Sequence, residues 1–111
     1  MTGPHMLAAV AHDEHYRDIG AFMLDLAGVL NRNFRELQAA GCEHVPVDEP
    51  LFAAVGRAEV AAAVEAINQA LEGIEMYTWL HICQGNYSVS EELDDGDQIG
   101  HRYFDFREYP T

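Results

Sequence analysis

CEHVPVDEP (residues 42–50) and MYTWLHIC (residues 76–83) decide how this chain of 111 residues folds. Each is a short apolar stretch rich in β-formers. The first is closed by Asp48-Glu49-Pro50 and the second runs into Gln84-Gly85-Asn86-Tyr87. Between them, from about Ala58 to Glu72, Val60, Val64, Ile67 and Leu71 recur every three or four residues, with Gly73 as the stop. That is the apolar stripe of a helix. Strand, helix, strand in this rhythm predicts βαβ units and a parallel sheet.

Upstream, the helical pattern runs from about Glu14 to Ala40. Its stripe is Ile19, Met23, Leu26, Leu30, Phe34 and Leu37, with Asp13 as the expected N-cap and Gly41 as the stop. Met6 to Ala11 is a short apolar run that reads as a strand end or as a loop starting a helix. Pro46 fits a central strand badly, since it has no N–H for the ladder. The strand is expected to stop early or to lie at an exposed edge. After Asn86 the periodicity is lost: residues 91–97 make an acidic loop and residues 103–109 are aromatic without period. The chain reads as α/β, one domain or a piece of one.

Composition narrows the partners. Nineteen acidic residues against six basic ones, all Arg, give a net charge of −13. Such a surface repels phosphate backbones and anionic lipid, so neither nucleic acid nor membrane is expected as a partner. Two cysteines, Cys42 and Cys83, are too few for a disulfide scaffold. No signal peptide or membrane span is legible. A reduced, cytoplasmic protein is the expectation.

Ligands in α/β proteins bind beyond the carboxyl ends of strands. Two groups fall there: Asp48-Glu49 and His81-Ile82-Cys83. His81 and Cys83 are two apart, so on a strand they share a face, and imidazole with thiolate suits zinc. Two donors do not complete a site, and a core Cys beside a buried His is the plainer reading. A carboxylate at 48 or 49 could hold a substrate amino group or accept a proton. It could equally cap the next helix or sit in water. His5, His12 and His15 read as surface residues or as groups at the start of a helix. No nucleophile elbow or phosphate-binding glycine loop is present.

Several stretches resemble the catalytic barrel of cobalamin-independent methionine synthase and its relatives, including epoxyalkane:coenzyme M transferase. They are TGPHMLA (2–8), AGC (40–42), VDEP (47–50), ALEGIEMYTWLHICQGNY (70–87) and GHRYFD (100–105). The resemblance covers nearly the whole chain. HICQGNY and GHRYFD look closer to the coenzyme M transferase branch. What it implies is part of a TIM-like (β/α)8 barrel, roughly three consecutive parallel β/α units over residues 1–111. It also implies one zinc ion that lowers the pKa of a small thiol, homocysteine or a coenzyme M-like thiol. The resulting thiolate takes a methyl group from a methyl-folate or opens an epoxide. His81 and Cys83 match the family's zinc ligands, Asp48 matches the acidic residue at the thiol-substrate site, and Glu49 shares its motif.

Departures from the family pattern are equally specific. The family's further zinc ligands, a Glu and a second Cys, would fall past Thr111, as would its catalytic His. Ala54 stands where methionine synthases place a folate-contacting Glu, and Pro46 where relatives carry Gln or similar. A whole barrel needs about 250 residues. The alternative to a zinc-dependent transferase is therefore a truncated, non-catalytic fragment or interaction module, pairing with another copy or with a complementary barrel chain. A third arrangement would have His101 or a partner's side chains complete the ligation at a dimer interface.

Overall fold

His44 to Asp48 (β1) and Tyr77 to His81 (β2) lie parallel and in register, His44 opposite Tyr77 and Asp48 opposite His81. The structure, a computed structural model, describes residues 1–82. Cys83, His101, the acidic stretch 91–97 and the aromatic stretch 103–109 lie outside the described residues. Between the two strands come a 3-10 turn at Pro50–Ala54 and the helix Arg57–Ala70. Pro4–Val10 forms helix α1, Ile19–Ala39 helix α2, and Arg57–Ala70 helix α3. The described residues thus form a small α/β unit with a two-stranded parallel sheet.

The N-terminal segment adds to this sheet. Thr2 bridges Asp48 in the parallel sense. The Asp48 N–H donates to Met1 O at 2.8 Å, and the Gly3 N–H to Asp48 O at 2.9 Å. This accounts for Pro46, which does not end the strand and sits with its nitrogen on the side away from β2. Successive residues of a parallel strand direct their polar groups to opposite sides. Pro46 and Asp48 face the N-terminal segment, and Pro46 O accepts from the Met1 nitrogen at 2.9 Å. The missing N–H is therefore on that side, and the ladder to β2 keeps its donors.

The core lies on the face of β1 that carries Val45 and Val47. Met23, Ala27, Leu30 and Phe34 of α2 pack there with Ala63, Ala66, Ile67 and Ala70 of α3. Alanines along α3 leave room for the bulk of Phe34 and Met23, which are fully buried. Asn31 ties the helices together. Its Nδ2 donates to Ala70 O and Glu72 O, both at 2.9 Å, at the carboxyl end of α3. Gly73 then turns the chain at φ +70°, where a Cβ would meet the Arg35 guanidinium.

Three expectations shift. The apolar run after His5 is helix α1, begun by Pro4, whose fixed φ and missing N–H suit a first helical position. Helix α2 starts at Ile19, capped by Asp18 rather than by Asp13. Asp13 closes a separate turn, accepting from the N–H groups of His15, Tyr16 and Arg17 at 2.8 Å. Arg17 sits at φ +53°, which breaks any helix running through it. Third, an apolar stretch such as MYTWLHI is expected to be buried, yet Tyr77, Trp79, Leu80 and Ile82 are exposed. Among the described residues β2 has β1 as its one strand neighbour.

Candidate functional site

The carboxyl ends of β1 and β2 carry Asp48 and His81 side by side. His81 Nδ1 lies 2.9 Å from Asp48 Oδ1. Both backbones are pinned: the Glu49 N–H donates to His81 O at 2.9 Å, and Asp48 is held by Met1 and Gly3 as described. The His81 hydrogen bond, the largest influence, holds the Asp48 carboxyl below the usual carboxylate range. Partial burial opposes it, and the nearby N-terminal ammonium reinforces it. That ammonium is 3.5 Å from Asp48 Oδ2, so the second carboxylate oxygen is within reach of a cationic amine. The His81 side chain is half exposed.

Glu49, the next residue, points the other way and is fully buried. Its Oε1 accepts from the His5 N–H at 3.0 Å and its Oε2 from the Met6 N–H at 2.8 Å. These are N–H groups of the first turn of α1, which have no partner inside the helix. A carboxylate there also meets the positive end of the helix dipole. Burial, the largest influence, raises the Glu49 pKa, and the two backbone bonds oppose it. The sequence reading allowed an acidic cap on the following helix. Glu49 instead caps the first helix, from 44 residues away in sequence. Both its oxygens are occupied, so it stands behind Asp48 rather than beside it.

His5 was expected at the surface or at the start of a helix. It is at the start of α1 and fully buried. Its Nε2 is 2.8 Å from Glu59 Oε1, on α3. Its ring meets Phe52 edge-on at 5.5 Å, and its Nδ1 is buried without a hydrogen-bond partner, 3.9 Å from Glu49 Oε2. His12 and His15 are exposed as expected. Residue type alone does not separate these three histidines. The Gly-Pro before His5 was the available signal, since it fixes a helix start against the sheet end.

Among the described residues, no three His, Cys, Asp or Glu side chains gather as a metal-binding group. The chemistry around His81 nonetheless suits a metal ligand. A ligating imidazole generally gives its other ring N–H to a carboxylate, and Asp48 Oδ1 lies at hydrogen-bond distance from one His81 ring nitrogen. Cys83, the second expected donor, lies outside the described residues. No helix among the described residues is long and apolar enough to cross a membrane.

The chain is similar in sequence to known proteins. Over 95 residues, 86% of its length, the chain is 37% identical to the methionine synthase of Pyrococcus furiosus. It is 39% identical over 95 residues to that of Pyrococcus horikoshii, and 38% identical over 99 residues to that of Thermococcus kodakarensis. The chain spans 28% to 29% of the length of these relatives. No family model matches it, and no solved structure matches it. The similarity supports a methionine synthase-like family.

Proposed function

We propose that this chain forms part of a zinc-dependent methyltransferase of the methionine synthase type, acting on homocysteine in the cytoplasm. The observation that carries the reading is the Asp48–His81 pair at the strand ends, in a chain similar to methionine synthases over most of its length. In this reading His81 and Cys83 hold the zinc, which, when bound, keeps a small thiol as thiolate near neutral pH. Asp48 receives the amino group of the substrate on Oδ2, the oxygen not taken by His81. Glu49 keeps Asp48 in place by tying the end of β1 to α1.

Homocysteine is favoured over a coenzyme M-like thiol on electrostatic grounds. A sulfonate beside Asp48, on a chain of net charge −13, meets repulsion where an ammonium meets attraction. Methyl-folate rather than an epoxide then follows as the donor class. The three parallel segments (Met1–Gly3, β1 and β2) are read as consecutive strands of a partial (β/α)8 barrel. The rest of that barrel, and the remaining zinc ligands, come from further sequence, a second copy or a complementary chain.

Zinc per chain and mass in solution test this directly. About one zinc per chain, lost in both His81→Ala and Cys83→Ser, is expected, and methyl transfer to homocysteine should follow once the missing barrel portion is supplied. A wild type that takes up no zinc overturns the metal reading. The second reading is a non-catalytic fragment acting as an interaction module, favoured by the exposed Tyr77, Trp79, Leu80 and Ile82 on and after β2. A zinc-free chain that is nonetheless dimeric would support it.

A further inference from the structure

We propose that Asp48 is a positioning residue for His81: it holds the imidazole as the Nδ1–H tautomer and leaves Nε2 as the free donor atom. The two residues are register partners on adjacent parallel strands. Their side chains meet at 2.9 Å between Asp48 Oδ1 and His81 Nδ1. An ionised carboxylate only accepts hydrogen bonds, so the proton between them belongs to Nδ1. The opposite tautomer would set the Nδ1 lone pair against a carboxylate oxygen.

Both residues have their backbones held in place. Asp48 is fixed through its own N–H and C=O to Met1 and Gly3, and His81 through its C=O to the Glu49 N–H. Glu49 itself is turned into the start of α1, so it does not compete for the imidazole. His81 is half exposed, which leaves its outer edge open to a ligand. The inference deepens the zinc reading and rests on it only for the effect on metal affinity.

The test uses the full chain, metal-free, at a pH of about 8, above the ordinary imidazole range. Long-range ¹H–¹⁵N correlation of ¹⁵N-labelled protein identifies which His81 nitrogen carries the proton, with His12 and His15 as internal references. The wild type should show Nδ1–H. Asp48→Ala should lose the bias, and Asp48→Asn, whose amide can donate to Nδ1, should move it toward Nε2–H, as a carboxylate-to-amide change does in other Asp–His pairs. Zinc titration against a chelating dye should show binding about 10- to 100-fold weaker in both variants. Should Asp48→Ala fail to fold, the near-isosteric Asp48→Asn carries both readouts.

An Nε2–H wild type, or a tautomer ratio unchanged in the variants, overturns the proposal. Zinc that binds through His81 with equal affinity in wild type and variants overturns it too. A wild type that binds no zinc but keeps an Asp48-dependent Nδ1–H tautomer upholds the positioning role and sinks the metal reading alone.

Discussion

Gly3 lies against the Glu49 carboxylate so closely that a Cβ at position 3 would collide with Oε1, Cδ and Cγ of that side chain. Glu49 is buried and both its oxygens are bonded to α1, so it has nowhere to retreat. Gly3→Ala should therefore destabilise the fold by about 1–3 kcal/mol, the usual penalty for overpacking. In a Glu49→Ala background the same change should cost little. A double-mutant cycle by urea denaturation reads the coupling, and additive effects would show that Gly3 and Glu49 are independent.

Removing the cap tests the other side of that contact. Glu49→Ala leaves the buried His5 N–H and the part-buried Met6 N–H without their acceptor. A loss of about 1–3 kcal/mol is expected for each such group. Glu49→Gln keeps an oxygen acceptor for one of the two and should be milder.

Glu49 also gives stability a pH dependence of defined sign. Burial raises its pKa in the folded chain, so between the unfolded value (roughly 4.3 for an ordinary Glu) and the raised one the folded state binds more protons. Its contribution is fully present below that window and is lost as pH rises through the folded value. Wild type minus Glu49→Gln should accordingly fall as pH rises across the window, then level off. A difference that rises with pH would contradict the burial of this group.

Asp48 has the opposite sign. The His81 hydrogen bond lowers its folded pKa, so its contribution is present above the ordinary aspartate value of roughly 3.9 and is lost as pH falls through the lowered one. The side chain is partly exposed, so the effect is modest. Acid unfolding of wild type and Asp48→Asn should converge at low pH and separate above pH 4, with wild type the more stable.

Asp18 accepts from Gly20 N–H at 2.8 Å and Ala21 N–H at 3.4 Å, so Asp18→Ala should cost about 1 kcal/mol. Hydrogen exchange at Gly20 and Ala21 should quicken. Asp13→Ala should leave those two amides unchanged, because its bonds serve the preceding turn.

The parallel α/β character was legible because apolar spacing and Gly or Pro punctuation agree through residues 42–82. Gly41 and Gly73 both adopt positive φ near the helix ends where the pattern expects a stop. The start of α2 was less legible, since Asp13 and Asp18 are both acceptable caps and only the reversal at Arg17 decides between them. Asp48 and His81 each stand out separately, by their places at strand ends. That they touch depends on register, which the hydrophobic pattern leaves open. Glu49 capping α1 is a long-range packing fact with no local signature. The exposure of β2 was hidden for a simpler reason. An apolar strand looks the same in sequence whether or not a neighbour covers it.

The three segments that meet at the strand ends give the site a place in time as well as in space. His5 and Glu49 are 44 residues apart, and Asp48 and His81 are 33 apart. No short peptide holds even a weak version of the constellation, because each contact closes a long loop whose entropy must be overcome first. Contacts so distant in sequence slow folding relative to local ones. A nascent or partly unfolded chain therefore presents an unoriented His81. Any reactivity that depends on its alignment begins only when the N-terminal segment and β2 have both docked on β1.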